Sequence, residues 1–222
     1  MISVCLTTYN GENYIIEQLE SILHQLSEMD EVIVSDDGST DNTLAIIENL
    51  QDKRIVILKH ERAGGVVSNM ENALKHARGN IIFLADQDDV WLPEKVERSL
   101  VALRDAQLVI SDCYVTDGEL NVIHDSFFKK NSSNRNKFIA LIKNPYLGCC
   151  MAFNKSLLDI ALPFPKDIPM HDIWLGNVAA FKKSVLFIPD KLIYYRRHDM
   201  NVSTASEPST NSLLTKINFR IS

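Results

Sequence analysis

NIIFLADQDD, residues 80–89, is the stretch on which the fold turns. An unbroken apolar run from Ile81 to Ala85 ends in three carboxylates, Asp86, Asp88 and Asp89, set around Gln87. A short run without alternation, rich in isoleucine, reads as a strand buried on both faces. Three like charges at its tip cost free energy unless something positive sits among them.

The same strand character recurs on either side, in SVCLTT (3–8), EVIVSDD (31–37), RIVILKH (54–60) and AQLVISD (106–112). Between these runs lie helical stripes: Ile15, Leu19, Ile22 and Leu26; Val66, Met70, Ala73 and Ala77; and Leu92, Val96, Leu100 and Leu103. Strand and helix in repeated alternation predict an α/β fold, a Rossmann-like, mostly parallel central sheet with helices on both faces. Right-handed crossovers then bring the strand carboxyl ends to one edge, where ligands bind in open sheets. That edge collects TYNG (8–11), DDGSTD (36–41), HERAGG (60–65) and DQDD (86–89).

After residue 112 the alternation fails. Asp117-Gly118 reads as a tight hairpin turn, KKNSSNRNK (129–137) as a polar loop, HDIWLGNVAAF as a helix beginning near Asp172, and VLFIPDKLIYYRRH as a strand. TASEPSTNS (204–212) has linker composition, and LLTKINFRIS reads as the opening of a helix, with the expectation that the chain continues past residue 222.

The 222 residues are 45% apolar and 23% charged, the balance of an ordinary globular protein. Cys5, Cys113, Cys149 and Cys150 show neither zinc-ligand spacing nor a disulfide framework, so reduced thiols in the cytoplasm are expected. No run approaches the ~20 apolar residues of a membrane span. The first residues lack Lys and Arg, and VCLTT reads as a strand, so no secretory leader is expected. A net charge of −6 without basic clusters argues against nucleic acid as a partner.

Neither a G-x-G-x-x-G fingerprint nor a P-loop is present, so a diphosphate at this edge needs another cradle. A hard divalent cation, Mg²⁺ or Mn²⁺, bridges carboxylate and phosphate oxygens and relieves the crowding of Asp86, Asp88 and Asp89. The structural alternative is a solvated loop in which Asp89 caps the next helix. In SDDGSTDNT, Thr40 or Asp41 is placed to cap a helix, while Asp36 or Asp37 is free to accept from a base imide. Asp172 reads either as a helix cap or as a general base. His198 on its own reads as a packed or surface histidine, and Trp91 and Trp174 as packing residues.

TTYNG, SDDGSTDNT, HARGNIIFLADQDDVWLPEKV, GCCMAFN, HDIW and YRRHDMNVS, in this order from about residue 2 to 203, resemble glycosyltransferase family 2, inverting nucleotide-sugar transferases of the GT-A fold. The resemblance is to the rhamnosyltransferase-like bacterial branch. It implies that Thr7, Tyr9 and Asp37 contact the nucleoside, Asp86 the ribose, Asp88 the metal, and that Asp172 is the catalytic base. His198 falls where some members add a metal or diphosphate contact. It divides the chain into a nucleotide-sugar half (1–112), an acceptor and base half (113–203), and a linker with the start of a helix (204–222). The usual base motif is Glu-Asp, and here His171 precedes Asp172.

The function so implied is transfer from a UDP- or dTDP-sugar, dTDP-rhamnose among them, to a hydroxyl of a growing bacterial surface polysaccharide. The acceptor would be a saccharide or a lipid-linked saccharide, with peripheral attachment at the inner face of the cytoplasmic membrane. Two other readings stand beside it. DQDDV fits the D-x-D-x-[TV] nucleophile loop of haloacid-dehalogenase-type phosphatases, although three strand-helix units precede it. A non-catalytic module that binds a nucleotide sugar for a partner transferase is the other.

Overall fold

The computed structural model describes residues 1–59, 64–131 and 144–198. Most of the predicted 129–137 loop, the linker at 204–212 and the final helix start lie outside the described residues, as does the HERA segment at 60–63.

The first half alternates as expected: β1 (Ile2–Thr8), α1 (Ile15–Leu23), β2 (Glu31–Asp36), α2 (Thr43–Asn49), β3 (Ile55–Lys59), α3 (Gly65–His76) and β4 (Ile81–Asp86). All residues of β1 and β2 are buried, so both faces of the sheet are covered there. The stripe Ile15, Leu19 and Ile22 is fully buried, and Met70 and Ala73 do the same for α3.

The order β3-β2-β1-β4 is parallel throughout. The chain therefore steps outward from β1 to β3 and then crosses back to place β4 on β1's other side. This reversal opens a crevice at the carboxyl ends of β1 and β4. In register, Thr7 faces Asp86 across it and Thr8 faces Asp36.

The second half continues through β5 (Val90–Trp91), α4 (Lys95–Ala102), β6 (Leu108–Thr116), β7 (Val122–His124), α5 (Phe127–Lys130), β8 (Met151–Asn154), α6 (Leu158–Ala161), α7 (His171–Phe181) and β9 (Val185–Arg196). The sheet extends as β4-β8-β6-β9-β5, with β7 on β6. The predicted strand beginning near Val185 and the helix beginning near Asp172 are both present.

Several details differ from the sequence reading. MAFN forms β8, an antiparallel strand wedged between β4 and β6, which four residues are too few to announce. The Asp117-Gly118 turn is a longer loop, closed by Asp117 N to Asn121 O at 3.0 Å and containing Leu120 at φ 64°. Leu100 is exposed, and the buried side of α4 is Lys95, Val96, Ser99 and Ala102.

The long β9 positions the site. Ser111 pairs with Ile188 and the next β6 residue, Asp112, with Lys191, so Pro189 and Asp190 bulge out of the ladder. Proline has no N–H to lose there. Beyond the bulge β9 holds β5 through Val90–Tyr194 and Trp91–Ile193, and it ends at Arg196 beside the acidic loop.

Entry into β4 depends on a close approach. A Cβ on Gly79 would lie 2.6 Å from Ser3 N and 2.7 Å from Ile2 C, both backbone atoms of β1. Gly79→Ala is therefore expected to destabilise the protein by about 1–3 kcal/mol, as overpacking does. Urea denaturation checks this, and an unchanged midpoint would contradict it.

Candidate active site

The acidic turn 86–89 is gripped from two sides. From α1, Gln18 Nε2 donates to Asp86 O at 2.8 Å and Ser21 Oγ accepts Trp91 N at 3.0 Å, and from the turn after α1 Gln25 binds Leu92 O and Val96 N just beyond the acidic turn at 3.0 and 3.2 Å. From β9, Arg196 N donates to Asp89 Oδ1 at 3.0 Å and Arg196 Nε to Asp88 O at 2.8 Å. The same guanidinium reaches Gly118 O at 2.6 Å and Glu17 Oε2 at 2.5 Å. Asp89 is thus a strut to β9 and not the cap of α4, whose N-cap is Glu94.

Gln87 joins this turn to the loop after β1. Its Oε1 accepts Thr8 Oγ1 at 2.6 Å and Tyr9 N at 2.9 Å, and its Nε2 donates to Tyr9 O at 3.0 Å. A side chain at Gly11 would collide with the Gln87 amide. Thr7 is nearly buried and its hydroxyl makes a long 3.5 Å contact with Asp86, while Tyr9 is 53% exposed at the mouth.

The two acids after β2 divide their work. Asp36 closes its own turn, accepting Gly38 N, Ser39 N and the Ser39 hydroxyl. Asp37 accepts Gly64 N at 2.7 Å and Gly65 N at 3.0 Å, so the first amides of α3 orient its carboxylate along the binding edge. Asp41 serves the first turn of α2 through Thr43 N, although Asn42 holds the N-cap position.

Asp88 and His198 lie together, with Oδ2 to Nε2 at 2.9 Å. The Tyr14 ring stacks on His198 at 4.7 Å and carries the Arg196 guanidinium at 4.8 Å. Asp172 sits in the first turn of α7, almost buried, and its Oδ1 accepts Ile173 N at 2.7 Å. Its charge is felt at Asp86, which brings the expected base onto the same side of the crevice as the acidic turn. His171, where the related motif has Glu, is buried against Gly148, and burial pushes its pKa down to about 4.

Electrostatics record the crowding. Loss of water around Asp86, with the charges of Asp88 and Asp172, pushes its pKa up to about 7. Burial, with Asp88 and Asp86 nearby, raises Asp89 as well. A divalent cation fits this chemistry: Asp89 Oδ2 is buried with no hydrogen-bond partner. Ligand atoms of Asp86, Asp89 and Cys149 lie within 4.8 Å of one another. Cys149 was no part of the sequence expectation, which named Asp88 and His198.

Sequence reasoning also passed over Gln18, Ser21, Gln25, Gln87 and Arg196. The first three carried a signal, since their 3 and 4 spacing marks a polar stripe beside the apolar face of α1. Arg196 carried none, because its partners stand as much as 179 positions away.

Comparison with known proteins bears on the family and the fold. The family "Glycosyl transferase family 2" matches residues 3–160. An Escherichia coli protein, UDP-Glc:alpha-D-GlcNAc-diphosphoundecaprenol beta-1,3-glucosyltransferase WfgD, is 29% identical over 74% of this chain and 64% of its own length. The dTDP-rhamnosyl transferase RfbG of Shigella flexneri is 30% identical over 88% of this chain and 72% of its own. Staphylococcus aureus TarS 1–349 in complex with UDP-GlcNAc superposes with a TM-score of 0.73 at 22% identity, over 94% of this chain and 61% of that one, and shares the GT-A fold. The chain thus spans under two thirds of the length of WfgD and of that TarS chain. The matches are to transferases and favour neither the phosphatase nor the non-catalytic reading.

The Asp86 shift sets a pH dependence. Between 3.8 and about 7 the native state keeps a proton that the unfolded chain has lost. This group's contribution to stability is therefore complete below the unfolded value and is lost as the pH rises through the folded one. In metal-free protein, Asp86→Asn is expected to be more stable than wild type at pH 8, with the advantage vanishing near pH 4. Urea denaturation with a chelator at both pH values checks it, and a pH-independent difference would contradict it.

Proposed function

Because the chain belongs to glycosyl transferase family 2, we propose that it is an inverting transferase. It moves a sugar from a UDP- or dTDP-sugar to a hydroxyl of a bacterial surface polysaccharide under assembly. The observation that carries this reading is the meeting of the acidic turn, the nucleoside-facing loops and Asp172 at one switch-point crevice.

Tyr9 offers an exposed side chain for stacking on the base, and the buried Thr7 contributes its hydroxyl on the nucleoside side. Asp37, held by two α3 amides, directs its remaining lone pairs toward a base imide N–H. Asp86 borders the ribose, and Asp88 with His198 faces the diphosphate. Asp88, with His198 alongside, would hold Mg²⁺ or Mn²⁺, which when bound would supply charge neutralisation for the diphosphate leaving group.

Asp172 accepts the proton of the acceptor hydroxyl. The hydroxyl oxygen forms its bond to the anomeric carbon from the face opposite the nucleotide, the bond to the diphosphate breaks, and the configuration inverts. The Ile173 amide of α7 donates to Asp172 Oδ1 at 2.7 Å and so fixes the orientation of its carboxylate. Burial of His171 keeps that neighbour neutral at physiological pH, so it adds no charge beside the base.

Among the described residues no helix is long and apolar enough to cross a membrane. The name of WfgD describes a diphosphoundecaprenol-linked acceptor. By analogy with that acceptor, we propose for this chain a lipid-linked saccharide reached by peripheral attachment at the cytoplasmic face of the membrane.

The test is a transfer assay with UDP- and dTDP-sugars on lipid-linked acceptors. Asp172→Asn is expected to lower turnover by about 10²–10⁴-fold, while nucleotide affinity stays within twofold or so of wild type. Near wild-type transfer by the variant would remove Asp172 from the mechanism. An α-configured product from an α-configured donor would remove inversion.

A further inference from the structure

Cys149 stands in a short turn, Gly148–Cys150, directly beneath the acidic loop. Its carbonyl is fixed by the fully buried Lys95, whose Nζ donates to Cys149 O at 3.2 Å and lies 5.0 Å from the Trp91 ring. The thiol is thereby held against Asp89, and its side chain is as buried as that carboxylate.

Two independent features converge on one point. Asp89 spends Oδ1 on the Arg196 amide, leaving Oδ2 buried and without a hydrogen-bond partner. The Cys149 thiol, a weak donor, interacts with that carboxylate without satisfying it. Such a buried, unpaired oxygen is costly to leave unoccupied. The ligand atoms of Asp86, Asp89 and Cys149 also lie within 4.8 Å of one another, close enough for one ion to draw them in. A thiolate with two carboxylates is a donor set for a borderline ion of the Zn²⁺ class, whereas Mg²⁺ takes oxygen alone.

We propose that Asp86, Asp89 Oδ2 and Cys149 Sγ form an inner site for a thiophilic divalent cation, distinct in its ligands from the Asp88–His198 position that faces the donor. The inference rests on the acidic edge accepting divalent ions, as in the proposed function. Charge permits it: Asp86, Asp88, Asp89 and Asp172 outweigh Lys95 and Arg196 nearby. An ion drawn to Cys149 pulls Asp86 away from the donor side, so Zn²⁺ inhibits transfer through a site that Mn²⁺ does not use.

Co²⁺ reports thiolate ligation directly. Titration of the metal-free chain with Co²⁺ alone is expected to give an intense near-ultraviolet thiolate-to-cobalt charge-transfer band that Zn²⁺ abolishes. The band should be lost in Cys149→Ser and kept in Asp88→Ala, and Zn²⁺ affinity should fall at least about tenfold in Cys149→Ser. Absence of the band in wild type, or its survival in Cys149→Ser, would overturn the proposal. If Cys149→Ser fails to fold, Asp89→Asn and Zn²⁺ protection of wild-type Cys149 from alkylation, read by peptide mass spectrometry, decide it in the same directions. Mn²⁺-dependent UDP binding is measured in parallel on both chains. Titration with dTDP accompanies it, and absence of Mn²⁺-dependent binding of both nucleotides in wild type refutes the donor reading, whereas binding of either without a cobalt band refutes only the inner site.

Discussion

Four carboxylates, Asp86, Asp88, Asp89 and Asp172, share one end of a parallel sheet, and the rest of the structure is arranged to hold them there. Two unit charges about 4 Å apart repel by roughly 4 kcal/mol at an effective dielectric near 20. A whole domain is stable by only about 5–15 kcal/mol. Burial first, and then the neighbouring carboxylates, push Asp86 and Asp89 toward their protonated forms, so the cluster does not stand fully ionised and empty. A bound cation removes the same strain without a proton.

The clamps around the turn follow from that need. Gln18 and Ser21 of α1 and Gln25 just after it hold the backbone of the turn and of the residues that follow, and Arg196 of β9 holds Asp88 O and the Asp89 carboxylate. None of these groups neutralises the carboxylates outright. The guanidinium is spent on Glu17, on Asp88 O and on Gly118 O, so Asp89 Oδ2 stays available for a ligand. Stability is given up at the crevice and recovered in the covered strands β1 and β2.

Much of this was legible in the sequence. Unalternating strands, helical stripes and the acids that follow them specify a parallel sheet, and topology alone carries Thr7, Asp37 and Asp86 to one edge. What stayed hidden was nonlocal. β8 is four residues long and runs against its neighbours. Asp89 looked like a local helix cap because its partner, the Arg196 amide, lies 107 residues on. Cys149 drew no attention because a cysteine without paired spacing carries no ligand signal; only folding sets it against Asp89. Gln87 was hidden in plain view, between two acids whose charge made them the obvious readers of the motif.

The central claim is that this edge holds a nucleoside diphosphate through a divalent ion and not through basic residues. The most direct measurement is calorimetric titration of the full chain with UDP and with dTDP, in chelator and in Mn²⁺. The account predicts that affinity for at least one of them rises by about tenfold or more with the ion, a gain of about 1.4 kcal/mol per decade. Equal affinity in chelator and in Mn²⁺ would contradict it.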